Sequence, residues 1–428
     1  MLKRLLVKII QVGELTIRCG GRLYGAFGTN SSNEPPLNVT IHLTDKRSLW
    51  KLALNPDFQV GELYMHGDLT IEHGTLQDFL ELCGRNQAAF EQTHRNKIWR
   101  KIANAWMHLV QGRNSRRRSR QNVAHHYDLS NTLYRLFLDE DMQYSCAYFR
   151  QPGLSLDDAQ RAKKEHIAAK LLLEDGQRVL DIGSGWGGLA MAMARQGAGH
   201  VTGVTLSSEQ LGVASQRAQE NGLADRVEFR LQDYRDVQEQ FDRIVSVGMF
   251  EHVGAEQYGT FFETVARLLT NDGVALLHSI GQKGVPGPTN AWIRKYIFPG
   301  GYIPSLSEVI PHIEKAGLWI TDIEILRFHY ADTLQAWLDR FTAKREEIKK
   351  IYDETFCRMW EFYLAACEMS FRHGGLMVFQ IQIAKAINTV PRTREYIDSY
   401  EASLRRHEAS GDQRNVVDFP AAAHKSSA

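Results

Sequence analysis

Two rhythms of apolar positions run along this chain of 428 residues. Between Asp157 and about Phe328, short apolar runs alternate with stretches of helical spacing. Residues 178–182, 200–204, 227–231, 244–248 and 274–280 read as strands, with a late strand at 318–328. Residues 207–221, 256–269 and 307–316 read as helices. Strand–helix alternation of this kind predicts an α/β domain, a doubly wound parallel sheet with helices on both faces. From Ala331 to about Arg406 the spacing is helical, over 333–351, 354–371 and 376–387. Residues 1–90 predict a small α/β or mainly β unit, with strands at 16–19, 22–27 and 39–43, a loop at 30–36 and a helix at 76–83. The polar, Ser-rich stretch from His407 onward is expected to be a disordered tail.

Composition narrows the picture little. The length calls for two or three domains, and a net charge of +1 implies no global electrostatic partner. Five widely spaced cysteines without a CxxC pair point to reduced thiols in a cytosolic protein. The apolar run at residues 1–10 is too short and too interrupted by Lys3, Arg4 and Lys8 for a signal peptide, and no apolar run reaches 18 residues. One segment stands apart. No acid lies between Glu91 and Asp128, and that span carries nine Lys and Arg residues from Arg95 to Arg120 beside the apolar stripe Ile98, Trp99, Ile102, Trp106 and Leu109. A basic amphipathic helix suits an anionic bilayer surface. A helix packed on its own domain and followed by a solvated Arg-rich linker fits the same residues. No recognition module accompanies the Arg run, so nucleic acid is not expected.

The chemistry is written at the strand ends. Residues 179–188, VLDIGSGWGG, place an acid and a glycine turn between an apolar strand and a helix. Gly183, Gly185 and Gly188 satisfy G-x-G-x-x-G. A dinucleotide fold would want an acid about 20 residues on; here the second strand ends in Thr205, Leu206, Ser207 and Ser208, and the acid is Asp181, ahead of the glycines. That placement favours S-adenosylmethionine over NAD. Further strand ends offer Gln210, Gln232, Asp233 and Tyr234, then Glu251 and His252, then His278, Ser279 and Ile280. Five polar ends facing one crevice predict a ligand site. Glu251 and His278 could perform acid–base work, grip a small anion or form a buried structural pair; His252 is expected to cap a helix. Adjacent His125 and His126 cannot both face one ion well, so no metal is expected.

The motifs HHYDLSN (125–131), YSCAYF (144–149), VLDIGSGWGGLA (179–190), GVTLSSEQ (203–210), LQDYRD (231–236), FDRIVSVGMFEHVG (241–254), LLHSIG (276–281) and WIRKYIFPGGYIPSL (292–306), in that order, resemble the cyclopropane fatty acid synthase family, full-length bacterial type. The resemblance covers residues 122–341, and more loosely reaches about 390. It implies a class I S-adenosylmethionine-dependent methyltransferase domain (122–406) with a Rossmann-like sheet. A smaller lipid-binding domain (1–90) would precede it, joined by the basic segment (91–121), and a tail (407–428) would follow. It implies methylene transfer from S-adenosylmethionine across the cis double bond of a phospholipid acyl chain, on a cytoplasmic enzyme bound peripherally to the inner, anionic membrane face, as a homodimer.

Site roles follow from the same resemblance. Tyr144, Ser145, Asp181, Gly183, Gly185, Thr205, Leu206, Gln210, Gln232 and Asp233 would line the cofactor. Cys146, Glu251, His278, Ile280 and Tyr330 would surround a bicarbonate that serves as base, with Cys146 as a lining residue and not a nucleophile. Tyr144, Phe149, Phe250, Tyr302 and Tyr330 are the aromatic candidates to face a carbocation. Alternatives on this scaffold are a hydroxy-, methoxy- or methyl-branched lipid product, a small-molecule N-methyltransferase, and a non-catalytic lipid-binding protein.

Overall fold

A computed structural model describes residues 2–30, 35–93 and 131–410. The basic stripe from Arg95 to Arg120 and the pair His125 and His126 lie outside the described residues.

The amino-terminal unit is a four-stranded sheet in the order β2-β1-β3-β4, with β1 Gly13–Cys19, β2 Arg22–Thr29, β3 Asn38–Leu43 and β4 Leu69–His73. β1 pairs parallel with β3, and β2 and β4 flank them antiparallel. Alternate residues of β1 and β3 (Leu15, Ile17, Val39, Ile41, Leu43) are buried, as a one-sided sheet requires. The strand expectations hold to within a few residues. Helices Leu2–Ile9, Lys46–Leu54 and Pro56–Met65 were not legible. Helices Pro56–Met65 and Leu76–Arg85 pack on the long helix Glu354–Arg372 of the larger domain. Gly61 makes that approach possible, because a Cβ there would stand 2.7 Å from Trp292 Nε1 and 2.8 Å from Phe362 Cε1. Glu81 to His373 (2.5 Å) and Gln77 to Gln335 (2.6 Å) are polar ties across the same boundary.

The larger domain is built on seven strands: β5 Arg178–Ile182, β6 His200–Thr205, β7 Val227–Leu231, β8 Phe241–Val247, β9 Leu269–Gln282, β10 Trp319–Leu326 and β11 Leu376–Ala384. Their order is β10-β11-β9-β8-β5-β6-β7. Six strands run parallel. β11 is antiparallel to both of its neighbours, pairing Gln380 with His278 and with Glu324. This corrects two expectations. Where a helix was expected over 376–387, Leu376–Ala384 form a nearly fully buried strand, and the sheet is mostly, not wholly, parallel. Residues 376–384, LMVFQIQIA, are short for a helix, and Phe379 to Ile383 alternate apolar and polar; that period of two and the β-branched content were the signals to weigh. The helix expected over 333–351 is two, His329–Ala343 and Arg345–Ile351. The chain stays helical over Glu395–Ser410, so order reaches past His407. Among the described residues no helix is long and apolar enough to cross a membrane.

Between β5 and β8 the strand order reverses, which opens a crevice at the carboxyl ends of the strands. Helix Leu156–Leu171 lies beneath β8 and β9. Ser155 caps it, accepting from the Asp158 N–H, and it ends at Leu172 in the left-handed conformation (φ 53°). Its burial is nearly complete for a helix so rich in charge: Gln160, Lys163, Glu165, His166 and Lys170 are all buried.

Candidate active site

Asp181 is the penultimate residue of β5, and the chain turns through Gly183 at φ +87° into helix Gly188–Arg195. An added Cβ on Gly183 would lie 2.8 Å from Met249 Cβ, so the turn requires glycine for conformation and for space. The turn, with the ends of β6, β7 and β8, walls a cleft open to solvent. All ten residues expected to hold the cofactor line it: Tyr144, Ser145, Asp181, Gly183, Gly185, Thr205, Leu206, Gln210, Gln232 and Asp233. Asp181 Oδ2 and Ser184 Oγ are buried there and find no hydrogen-bond partner among the described residues. Burial lifts the Asp181 carboxyl from its ordinary 3.8 to about 7. A polar ligand that donates to Asp181 would relieve that penalty, so these residues fit S-adenosylmethionine, whose amine and hydroxyls are donors. Asp233 is more committed than expected, since Arg235 grips both its oxygens (2.8 and 2.6 Å). Thr205 Oγ1 donates to Gln210 Oε1 at 3.2 Å and so braces the rim.

A second cavity adjoins the first; Tyr144, Ser145, Gly248 and His252 line both. Cys146, Glu251, His278, Ile280 and Tyr330 all line this second space. Glu251 follows β8 in a short 3-10 turn, and its Oε1 accepts the Ile280 N–H at 2.6 Å. That N–H is thereby engaged by the carboxylate, so part of what Ile280 contributes is the fixing of Glu251. Glu251 Oε2 and His278 Nε2 are buried and without a partner among the described residues. Burial raises Glu251 to about 7 and pulls His278 down to about 3. His278 Nδ1 meets Gln380 Nε2 at 3.1 Å; with the amide donating, the ring keeps its proton on Nε2, facing the cavity as a donor. Glu251 and His278 do not form the structural pair that was one of their readings. Their unsatisfied atoms fit a small oxyanion such as bicarbonate, which can both accept and donate. The Cys146 thiol donates to the Ala147 carbonyl and is pushed well above its usual range by burial, which suits a lining residue and not a nucleophile.

Other expectations are corrected. His252, expected to cap a helix, lines both cavities. Phe250 stacks on Tyr258 in the core (4.3 Å), and Phe149 lies beside His329; neither lines the second cavity. Phe298 and Phe371 do, with Tyr144, Tyr302 and Tyr330. Gln380 was missed because its strand was read as helix. Trp186, whose Nε1 donates to Asn131 at 2.9 Å, ties the HHYDLSN motif to the glycine turn.

A doubly wound sheet with an antiparallel strand near one edge, an acid-and-glycine turn and a cleft at the switch point define a class I S-adenosylmethionine-dependent methyltransferase. The mycolic acid cyclopropane synthetase family model matches residues 114–381. The cyclopropane-fatty-acyl-phospholipid synthase of Escherichia coli K12 is 39% identical over 372 residues, 86% of this chain and 94% of that protein. A probable fatty acid methyltransferase of Pseudomonas putida is 35% identical over 373 residues, 84% of this chain and 92% of that protein. Among solved structures, cyclopropane synthase MmaA2 from Mycobacterium tuberculosis matches with a TM-score of 0.59 at 34% identity, over 62% of this chain and 98% of that one. Mycolic acid cyclopropane synthase CmaA1, complexed with SAH and CTAB, matches with a TM-score of 0.59 at 35% identity, over 62% and 97%. The chain therefore belongs to the mycolic acid cyclopropane synthetase family, in its full-length bacterial form.

Proposed function

We propose that this methyltransferase converts the cis double bond of an unsaturated phospholipid acyl chain into a cyclopropane ring. The observation that carries the reading is the second cavity, apolar along Ile293, Phe298, Phe371, Leu376 and Val378 yet ending in two unsatisfied polar atoms, Glu251 Oε2 and His278 Nε2, beside the cofactor cleft. Its walls suit an acyl chain, and its polar end suits an anion.

When bound, S-adenosylmethionine supplies the methyl carbon and bicarbonate the base. An alkene is a weak nucleophile, so the walls shared by the two cavities must hold the double bond in line with the methyl group. Forming the new C–C bond breaks the S–C bond and leaves a cation on the other alkene carbon. The faces of Tyr144, Tyr302 and Tyr330 can stabilise it, and the apolar lining keeps water from quenching it to an alcohol. Loss of one proton from the transferred methyl group then closes the ring. Glu251, with a pKa close to neutrality, and His278, with Nε2–H, can both donate to an anion. They would place its remaining oxygens toward the chain.

We assign lipid docking to the amino-terminal unit and to the basic stripe at residues 92–120, on the anionic inner face of the membrane. A homodimer would present two such surfaces and raise avidity. The test is mass spectrometry of acyl chains after incubation with unsaturated liposomes, bicarbonate and methyl-labelled S-adenosylmethionine. Gain of CH₂ with loss of the reducible double bond is expected. Gain of CH₂ plus water, or a saturated methyl branch, would replace the ring with another product. No incorporation into lipid would overturn the substrate assignment.

A further inference from the structure

Helix Leu156–Leu171 carries a lysine, Lys163, with no solvent exposure at all. A buried ammonium is stable only when hydrogen bonded. Its Nζ donates to Gln143 Oε1 at 2.9 Å and to Ser145 Oγ at 2.7 Å. Both acceptors line the cofactor cleft, and Ser145 also lines the second cavity.

The same helix holds the segment's backbone. Gln160 Nε2 donates to the carbonyls of Gln143 and Ser145 (3.2 and 3.0 Å), and Lys164 pairs with Asp141 at 2.5 Å. Gly188 lets this segment close against the glycine turn, because a Cβ there would meet Asp141 Oδ2 and Gln143 Nε2 at 2.4 Å each. These backbone and flanking ties already fix the segment. The bond from Lys163 to Ser145 therefore has a consequence beyond scaffolding. An ammonium is a donor with no lone pair. Ser145 Oγ accepts from it, cannot return its own proton to it, and must direct that proton elsewhere.

We propose that Lys163 is a positioning residue for cofactor binding, holding Ser145 as an obligate hydrogen-bond donor at the junction of the two cavities, toward an acceptor group of the bound S-adenosyl ligand. The charged and titratable groups that face Lys163 are Asp139 and Asp141 in the preceding loop, Lys164 on its own helix, Cys146, Asp181 at the end of β5 and His278 on β9. Desolvation brings the Lys163 amine down to about 8. It is charged at neutrality and becomes an acceptor in mild alkali, where Ser145 can turn its proton back toward it.

The experiment is calorimetric binding of S-adenosylhomocysteine to the full chain between pH 6.5 and 9.5, for wild type and Ser145→Ala. From pH 7 to 9 the wild-type Kd should weaken by about three- to tenfold more than that of the variant, the value of one hydrogen bond. Titration of the ligand amine and of Asp181 occurs in both and cancels. Parallel profiles would overturn the proposal. At pH 7, Lys163→Met should weaken binding, and the Lys163→Met/Ser145→Ala double variant should bind no worse than the weaker single one. Additive losses, or wild-type affinity in Lys163→Met, would also overturn it. If Lys163→Met does not fold, the comparison of wild type with Ser145→Ala still decides. Ligand affinity is read without lipid, so the outcome is independent of which lipid product forms.

Discussion

Glu251→Gln should remove activity while making the ligand-free protein less sensitive to alkali. Burial raises the Glu251 carboxyl from 4.5 to about 7, and Oε2 has no partner among the described residues. A carboxyl whose folded pKa lies above its unfolded value binds more protons folded than unfolded. Its contribution to stability is present at acid pH, declines from 4.5 to 7, and is gone above 7. Between pH 5.5 and 8 this amounts to ~2 kcal/mol for the one group. Glutamine has no proton to lose. Its Oε1 can still accept the Ile280 N–H, and its Nε2 takes the place of the unsatisfied oxygen at a pH-independent cost of about 1–3 kcal/mol. The stability difference between the two proteins should therefore swing by ~2 kcal/mol toward the variant on going from pH 5.5 to 8. Asp181, also raised to about 7, is common to both and cancels. Urea unfolding of both proteins at the two pH values measures the swing. A difference that stays constant with pH would refute the electrostatic reasoning. Turnover should fall at least ~100-fold in the variant, and near-normal turnover would remove Glu251 from the chemistry.

Three further outcomes are expected. Gly183→Ala forces a side chain onto a residue at φ +87° and a methyl to within 2.8 Å of Met249 Cβ; it should cost about 1–3 kcal/mol and weaken S-adenosylhomocysteine binding at least ~tenfold, both measurable by calorimetry, and unchanged affinity would contradict the assigned cleft. His278, held down at about 3, stays neutral through the working range; kcat/KM of wild type and His278→Gln should share one acid limb, and a limb near 6.5 that vanishes in the variant would show that this imidazole titrates. Because its thiol is buried and shifted up, Cys146 should resist iodoacetamide at pH 8 in the native protein, and Cys146→Ala should keep turnover within about tenfold of wild type; a thousandfold loss would make it a nucleophile.

The glycine turn and strand ends were legible because their chemistry is local: Asp181, the glycines and Thr205 lie within one strand–turn–helix unit and its neighbour. The succession of strands β5 to β9 along the chain, though not their order in the sheet, followed from the alternation of apolar runs. What escaped depends on long-range contacts. Gln380 reaches His278 only because residues 376–384 are inserted antiparallel beside β9, and nothing in the spacing of LMVFQIQIA says so. Lys163 sits in a charged stretch, RAKKEH at 161–166, that reads as a solvated helix face; the fold buries it under the sheet with partners 18 and 20 residues away. Phe298 and Phe371 reach one cavity from segments over 70 residues apart, and that convergence is set by the docking of helix Glu354–Arg372.

The neutrality of the second cavity fits the proposed chemistry in a way that one residue at a time does not reveal. A site that makes a carbocation must not offer a reactive nucleophile, or the enzyme alkylates itself. Burial alone secures most of this. It keeps Cys146 a thiol, with its proton on the Ala147 carbonyl, and brings Glu251 close to half protonation at neutral pH. Tyr363, which meets the Tyr144 hydroxyl at 2.8 Å, stays a phenol, since burial lifts it well above its usual range. The neutral imidazole of His278 still keeps a lone pair. Gln380 closes that gap: its amide donates to Nδ1, and the remaining ring nitrogen then carries the proton. The inserted strand β11 thus does more than extend the sheet. It turns the imidazole's lone pair away from the reacting chain, and leaves a donor in its place.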